Sequence, residues 1–149
     1  MITVVRKIKK GDRKVCLSLL RELYSHLSLE DLEEKFFWGK EQAYVLWADH
    51  KPVGVIVWEE YDYLPDNSCL LELSAIVIDK DNRLRGFGRD LYWASLSLVR
   101  EKMDVCGIHV LATLDSVGFY ERVMPVSQRA QTPALLIRGI WYVSLLCKI

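Results

Sequence analysis

The chain has 149 residues, of which 51% are hydrophobic, and its 20 basic residues balance its 20 acidic ones. A chain of this length can bury a core that folds without disulfides or structural metal. The zero net charge argues against a dedicated nucleic-acid-binding protein, and the hydrophobic fraction argues against a disordered chain. We therefore expect residues 1–149 to form one folded domain.

The cysteines and the apolar segments bear on the cellular compartment. Four cysteines lie at positions 16, 69, 106 and 147 without a C-x-x-C pair, and the chain has only three histidines. This spacing matches neither a zinc site nor a disulfide framework, so it predicts reduced thiols. The N-terminal residues show no signal-peptide pattern, and the apolar stretch from Ala134 to Cys147 is too short to span a bilayer. We expect a cytoplasmic protein that binds no metal.

The N-terminal part of the chain alternates strand and helix patterns. Ile2 to Ile8 is rich in β-branched residues and predicts a strand. Residues 12–27 carry apolar side chains at every fourth position and predict a helix. Ser28-Leu-Glu-Asp31 has the spacing of a capping box, which predicts that a second helix covers Leu29 to Phe37.

Three strand patterns occupy the middle of the chain. Ala43 to Ala48 and Val53 to Glu60 flank the turn sequence Asp49-His-Lys-Pro52 and predict a hairpin. Cys69 to Ile78 is a longer strand, and its nearly continuous apolar character predicts burial on both faces.

The C-terminal part returns to mixed patterns. Arg89 to Met103 contains no Gly or Pro and predicts a helix with a broad apolar face. Gly107 to Thr113 predicts a strand, and Asp115 to Arg122 a short helix with Asp115 as its N-cap. The residues through Cys147 predict two more strands. This order of elements predicts an α/β or α+β sheet with helices on its faces.

The segment between the long strand and the following helix carries the strongest functional signal. Gly86 and Gly88 let backbone amides approach an anion closely, and the first N–H groups of the helix lack an internal partner. Arg83, Arg85 and Arg89 surround this point. The combination predicts a phosphate or pyrophosphate site. The alternative is an ordinary strand-to-helix turn with solvated arginines.

Two common nucleotide motifs do not match this segment. A P-loop needs a Lys followed by Ser or Thr, and a dinucleotide fingerprint needs a third glycine where Leu91 stands. The pattern R-x-x-G-x-G from Arg83 to Gly88 resembles instead the acetyl-CoA pyrophosphate loop of the GCN5-related N-acetyltransferase (GNAT) superfamily. Gly118-Phe-Tyr-Glu-Arg122 resembles the Phe-Tyr motif of that family's fourth helix, and the element order is similar along nearly the whole chain. Met124-Pro125 stands where the family usually has Gly-Phe.

The resemblance implies a central mixed, mostly antiparallel sheet of about six or seven strands flanked by about four helices. It implies an N-acetyltransferase in which an amine attacks acetyl-CoA directly, with acetyl-CoA as cosubstrate and no metal. The implied contacts with acetyl-CoA come from the end of the long strand, the loop and the helix start: Ile76, Val77, Ile78, Arg83, Leu84, Arg85, Gly86, Phe87, Gly88 and Arg89.

Two side chains are candidates for the chemistry. Tyr120 belongs by default to the core, and the resemblance makes it the general acid that protonates the departing thiolate. A phenol stays protonated at neutral pH because its ordinary pKa is about 10. Glu72 interrupts an apolar strand eleven residues before Arg83, where histone-acetyltransferase-type members carry their catalytic Glu. An amine acceptor needs such a base, although a salt-bridged glutamate is the alternative.

Other functions stay open from the sequence. The main alternative is a catalytically inactive GNAT-fold module that binds CoA or a protein, and a toxin or regulator that acetylates a macromolecule is a third. In the resembled fold the acidic residues within 30–34 and 59–66 border the acceptor groove, which implies attraction of a cationic amine. The apolar C-terminal segment is a candidate dimer strand. His26, His50 and His109 are expected to be structural or exposed.

Overall fold

The computed structural model describes residues 1–37, 42–113, 116–124, 129–131, 135–137 and 140–148. Within these residues eight strands form one sheet, and helices pack on both of its faces. The strands are β1 Thr3–Lys7, β2 Gln42–Ala48, β3 Lys51–Tyr63, β4 Cys69–Ile78, β5 Val105–Thr113, β6 Arg129–Gln131, β7 Leu135–Ile137 and β8 Ile140–Lys148. The helices are α1 Arg13–Leu23, α2 Leu29–Phe36, α3 Phe87–Arg100 and α4 Val117–Val123.

The order of strands in the sheet is β1-β2-β3-β4-β5-β8-β6, and β7 also pairs with β8. All of these pairs are antiparallel except β4 with β5. That parallel pair is joined through α3, because parallel strands need a crossover connection. The mixed, mostly antiparallel sheet with helices on its faces confirms the predicted fold class. The short strands β6 and β7 bring the strand count above the predicted six or seven.

Two local sequence signals are confirmed. Ser28 Oγ accepts a hydrogen bond from the Asp31 amide at 3.1 Å, and Asp31 Oδ2 accepts one from the Ser28 amide at 3.4 Å, so the capping box starts α2 as predicted. The β2–β3 hairpin turns at Asp49 and His50, which have φ values of 46° and 67°. Positive φ at both central residues is the geometry whose twist suits a two-residue hairpin.

Predicted helix boundaries were wrong at three places. The first helix ends at Leu23 and not at residue 27, because Tyr24 leaves the helical conformation and its hydroxyl donates to the Ser74 carbonyl at 3.4 Å. The third helix begins at Phe87, two residues before Arg89, because Gly86 serves as its N-cap with φ 80°. It ends at Arg100, short of Met103. The predicted N-cap Asp115 lies outside the described residues.

A β-bulge at Ser74 divides β4 into two parts. Val57 pairs with Ala75 and Trp58 with Leu73, so Ser74 is an extra residue on β4. Before the bulge, Leu71 and Leu73 pack in the core beneath α3. After it, Ala75 and Val77 pack in the core beneath α1 and α2. The bulge therefore exchanges the two faces of the strand, and β4 is buried on both, as predicted.

The same strand separates from β5 after its first residues. β4 and β5 pair only between Cys69–Glu72 and Val105–His109. Beyond this point β4 continues along β3 to Ile78, and β5 continues along β8 to Thr113, without pairing with each other. This gap, called the β4–β5 opening below, lies between the loop that precedes α3 and the helix α4.

Candidate active site

The segment Asp79–Arg89, called the arginine loop below, closes one end of the β4–β5 opening. Because α3 begins at Phe87, the amides of Phe87, Gly88 and Arg89 have no acceptor inside the helix. The first helical hydrogen bond runs from the Asp90 amide to the Gly86 carbonyl at 3.0 Å. Free amides and the positive end of a 14-residue helix therefore point to this end of the opening.

The backbone of the arginine loop turns sharply at Leu84 and Gly86, with φ values of 63° and 80°. Positive φ is uncommon for a leucine, and such strained residues concentrate at functional sites. A Cβ added at Gly86 would meet nothing within 4 Å, so open space lies directly in front of this residue. The loop thus presents amides to an empty, accessible volume.

The three arginines of the loop have different environments. Arg83 Nε donates to the Ile78 carbonyl at 3.0 Å, and its guanidinium pairs with Glu22 of α1 at 3.3 Å. Arg83 therefore holds the loop against β4 and α1. Arg85 and Arg89 are exposed and make no hydrogen bond or ion pair within the described part of the chain. These two guanidinium groups are available to an anion.

Helix α4 forms the other wall of the β4–β5 opening. A Cβ on Gly88 would lie 3.0 Å from the ring of Phe119, so α4 rests directly against the start of α3. Tyr120 follows on the same helix, only 7% exposed, with its ring 5.2 Å from that of Phe119. Burial raises the pKa of the Tyr120 hydroxyl far above its usual range, and the Tyr24 phenol adds to this shift. Tyr120 is therefore a protonated phenol.

The middle of the opening is lined by the second part of β4. Ile76 and Ile78 are half-buried against the α3 core, whereas Val77 is buried on the α1–α2 side. At the bulge, the Ser74 hydroxyl is buried and has no hydrogen-bond partner in the described residues. A buried hydroxyl without a partner is costly, so Ser74 Oγ is open to a hydrogen bond from a further group.

Glu72 lies at the point where β4 and β5 separate. Its Cα pairs with Glu59 of β3 on one side and with His109 of β5 on the other. Glu72 makes no hydrogen bond or ion pair with the described residues. Burial raises the pKa of its carboxyl, Glu59 raises it further, and His109 and Lys35 oppose the shift. The carboxyl is thus destabilised as an anion and poised to accept a proton.

His109 is a site residue that the sequence did not indicate. The prediction placed it among structural or exposed histidines, and nothing in the local sequence distinguishes it from His26 or His50. The structure places it beside Glu72, with Nε2 2.7 Å from Ser144 Oγ and its ring stacked on Tyr61 at 4.7 Å. We call Glu59, Glu72 and His109 the polar row.

The polar row lies on the sheet face that α1 and α2 cover only in part. Helix α1 packs on β3 and β4, while Leu111 of β5 and Leu146 of β8 are exposed on this face. Tyr24 stands at the edge of this groove, and its hydroxyl reaches the Ser74 carbonyl. A second molecule can therefore approach Glu72 from the side opposite to α3.

The geometry agrees with a family model. Residues 14–124 match the model of the acetyltransferase (GNAT) family. The chain belongs to this family. The match includes the arginine loop, Glu72 and Tyr120, so the predicted family is confirmed.

Solved structures of GNAT proteins superpose on nearly the whole chain. A GCN5-related N-acetyltransferase from Kribbella flavida gives a TM-score of 0.78 at 14% identity, covering 99% of this chain and 98% of that chain. Aminoglycoside 6′-N-acetyltransferase complexed with coenzyme A gives 0.74 at 13% identity over 97% and 96%. Arabidopsis thaliana NAA60 in complex with acetyl-CoA gives 0.71 at 14% identity over 99% and 98%. At such identities the likeness shows the GNAT fold.

Three further observations concern the GNAT chain. No curated protein sequence matches it. In the described ranges, no group of three or more His, Cys, Asp or Glu side chains is placed to hold a metal ion. None of the described helices is long and apolar enough to cross a membrane.

Proposed function

We propose that residues 1–149 act as one N-acetyltransferase domain that transfers an acetyl group from acetyl-CoA to an amine. The observation that carries this proposal is the β4–β5 opening, which has an anion-binding backbone at one end and a titratable carboxyl at the other. An extended thioester lying in the opening would place its pyrophosphate at the arginine loop and its acyl group near Ser74. Family membership supports the same reaction.

The cosubstrate contacts follow from the chain's own groups. The amides of Phe87, Gly88 and Arg89 would bind the pyrophosphate, with Arg85 and Arg89 adding charge. The backbone N–H and C=O groups of Ile76, Val77 and Ile78 that do not pair with β3 would hold the pantetheine arm. Leu84 contributes its positive φ to the turn of the loop. The unpartnered Ser74 hydroxyl fits a polar atom near the thioester.

The proposed reaction begins with an ammonium group beside Glu72. The carboxylate takes one proton from the nitrogen and later releases it to solvent. The freed lone pair attacks the thioester carbonyl carbon, a C–N bond forms and the C–S bond breaks. Tyr120 gives its proton to the departing sulfur, and the second nitrogen proton returns through solvent to the tyrosinate. Holding both reactants in line supplies much of the rate.

A thermal melt tests the cosubstrate site directly. Acetyl-CoA at about a hundred times its dissociation constant adds about 2.7 kcal/mol, which raises the midpoint by about 5–10 °C for a chain of this size. Gly86→Glu should abolish the shift because its side chain enters the open space before the loop. Arg100→Ala, at the other end of α3, is the matched control and should keep the full shift.

An acetyl-transfer assay against primary amines separates the enzyme from the inactive alternative. Release of free CoA thiol that depends on an amine supports transfer. A full thermal shift without transfer to alkylamines, polyamines, amino acids or peptides would favour a CoA-binding module. No shift at all would overturn the proposal. The four free thiols are the basis for proposing a cytoplasmic location, and the apolar C-terminal segment for proposing a homodimer.

A further inference from the structure

The polar row places three titratable side chains from separate strands next to one another on one face of the sheet. Glu59 of β3, Glu72 of β4 and His109 of β5 are successive partners in the strand register. Side chains of directly paired residues lie on the same face and close together. Two carboxyl groups and one imidazole therefore share the floor of the groove.

His109 is held more firmly than either carboxyl group. One ring nitrogen, Nε2, lies 2.7 Å from Ser144 Oγ of β8, and the ring stacks on Tyr61 of β3 with an interplanar angle of 23°. The other nitrogen, Nδ1, is buried and has no hydrogen-bond partner in the described residues. The contacts of Nε2 and of the ring therefore fix the imidazole next to Glu72 in the strand register.

Glu72 has charged or titratable neighbours on each element packed against it. They are Glu59 from β3, His109 from β5 and Lys35 from α2, with the Tyr24 phenol, just after α1, at the edge of the groove. Glu59 raises the pKa of Glu72, whereas His109 and Lys35 lower it. Lys35 is exposed and lies over the Tyr24 ring, whereas the His109 ring is held beside Glu72 by Ser144 and Tyr61.

We propose that His109 is a positioning residue for Glu72: held by Ser144 and Tyr61 next to this carboxyl in the strand register, it offsets the repulsion from Glu59, so that Glu72 accepts the proton of the acceptor amine. This inference rests on the proposed acetyl transfer and assigns to His109 a part in it. In the step concerned, an N–H bond of the ammonium breaks and an O–H bond forms on Glu72. His109 exchanges no proton with the substrate.

The polar row predicts opposite effects for its two outer members. Loss of the imidazole removes the larger of the two influences that oppose burial and Glu59, so His109→Gln should raise the pKa of Glu72 further. Loss of the Glu59 charge removes a repulsion, so Glu59→Gln should lower the pKa of Glu72. If His109 and Glu59 had only structural roles, their substitutions would not shift the pKa of Glu72 in opposite directions.

The test is a pH titration of the Glu72 side-chain carboxyl by ¹³C NMR on ¹³C-glutamate-labelled protein. Glu72 is identified as the signal missing from Glu72→Gln. We expect the midpoint to move upward in His109→Gln and downward in Glu59→Gln, and the acid limb of the kcat/KM–pH profile to move with it. Glu60→Gln, on the opposite sheet face, and His50→Asn, in the β2–β3 turn, are the matched controls and should leave the midpoint unchanged.

Each outcome of the titration decides the inference. An unchanged midpoint in both variants, or shifts of the same sign, would overturn it. A moved midpoint with an unmoved acid limb would also overturn it, because Glu72 would then not be the proton acceptor. The titration needs no acetyl transfer, and a failure of the proposed function would show separately in the melt and the transfer assay. If His109→Gln does not fold, Ser144→Ala, which removes the partner of Nε2 and releases the ring, should move the midpoint upward, and an unchanged midpoint would overturn the inference.

Discussion

The two ends of the β4–β5 opening are built in different ways. The arginine loop presents mainly backbone groups, which are the free amides at the start of α3 and a chain turned by positive φ at Leu84 and Gly86. The polar row acts through side chains that three strands bring together. A backbone site tolerates many side-chain changes, whereas a side-chain site depends on each of its members. Substitutions at the two ends should therefore affect different quantities.

Tyr120 lies between the two ends, and its loss should have the largest effect. Tyr120→Phe removes the proton donor for the departing thiolate, so we expect kcat to fall by about 100-fold or more. The acetyl-CoA dissociation constant should stay within about twofold, measured by titration of the thermal shift. Tyr92→Phe is the matched control, because this buried hydroxyl of α3 has no hydrogen-bond partner in the described residues. Unchanged turnover in Tyr120→Phe would remove the residue from the mechanism.

Substitutions of two loop arginines should affect different quantities: Arg85 the affinity for acetyl-CoA, and Arg83 the stability of the free protein. Arg85→Ala loses a charge-assisted contact of about 1.5 kcal/mol and should weaken acetyl-CoA binding about tenfold, with an unchanged midpoint for the free protein. Arg83→Ala should instead lower that midpoint, because it loses the hydrogen bond to the Ile78 carbonyl. Calorimetric titration and melts of both variants measure the two effects. Equal losses of affinity in the two variants would contradict the assignment of Arg83 to the loop's support.

The smallest of the expected effects is one on stability: Glu72→Gln should stabilise the fold at neutral pH. The folded chain holds the Glu72 proton more tightly than the unfolded chain does, because burial raises its pKa from the ordinary 4.5. The folded state therefore loses stability as the pH rises from about 4.5 through the raised pKa. Glutamine carries no charge, so Glu72→Gln should melt above the parent at pH 7.

The gain from Glu72→Gln should disappear as the pH falls below about 4. Melts of parent, Glu72→Gln and the exposed control Glu60→Gln across pH measure this dependence. A variant that melts below the parent at pH 7 would show that the Glu72 carboxylate stabilises the fold. A stabilising change that removes activity is typical of a functional site.

Local sequence signals predicted most of the fold and the arginine loop, which is the proposed cosubstrate end of the site. The capping box at Ser28, the hairpin turn at Asp49 and the glycines of the arginine loop each act on their own few residues. Their structural result therefore follows from the segment itself, and the pattern from Arg83 to Gly88 led to the confirmed family. The helix limits at Tyr24 and Gly86 did not follow from periodicity, because one depends on a contact with β4 and the other on backbone conformation.

The polar row, at the proposed acceptor end, was decided by tertiary structure. Glu72 stood out as a carboxylate in an apolar strand. Its neighbours Glu59 and His109 did not, because they lie on other strands and no local sequence pattern gives the register between strands. The bulge at Ser74 and the early separation of β4 from β5 also depend on how three strands pair. The sequence by itself determined which segments fold and where the proposed anion site lies. Only the pairing of distant strands decided which charges meet beside Glu72, because electrostatic coupling depends on distance in space and not along the chain.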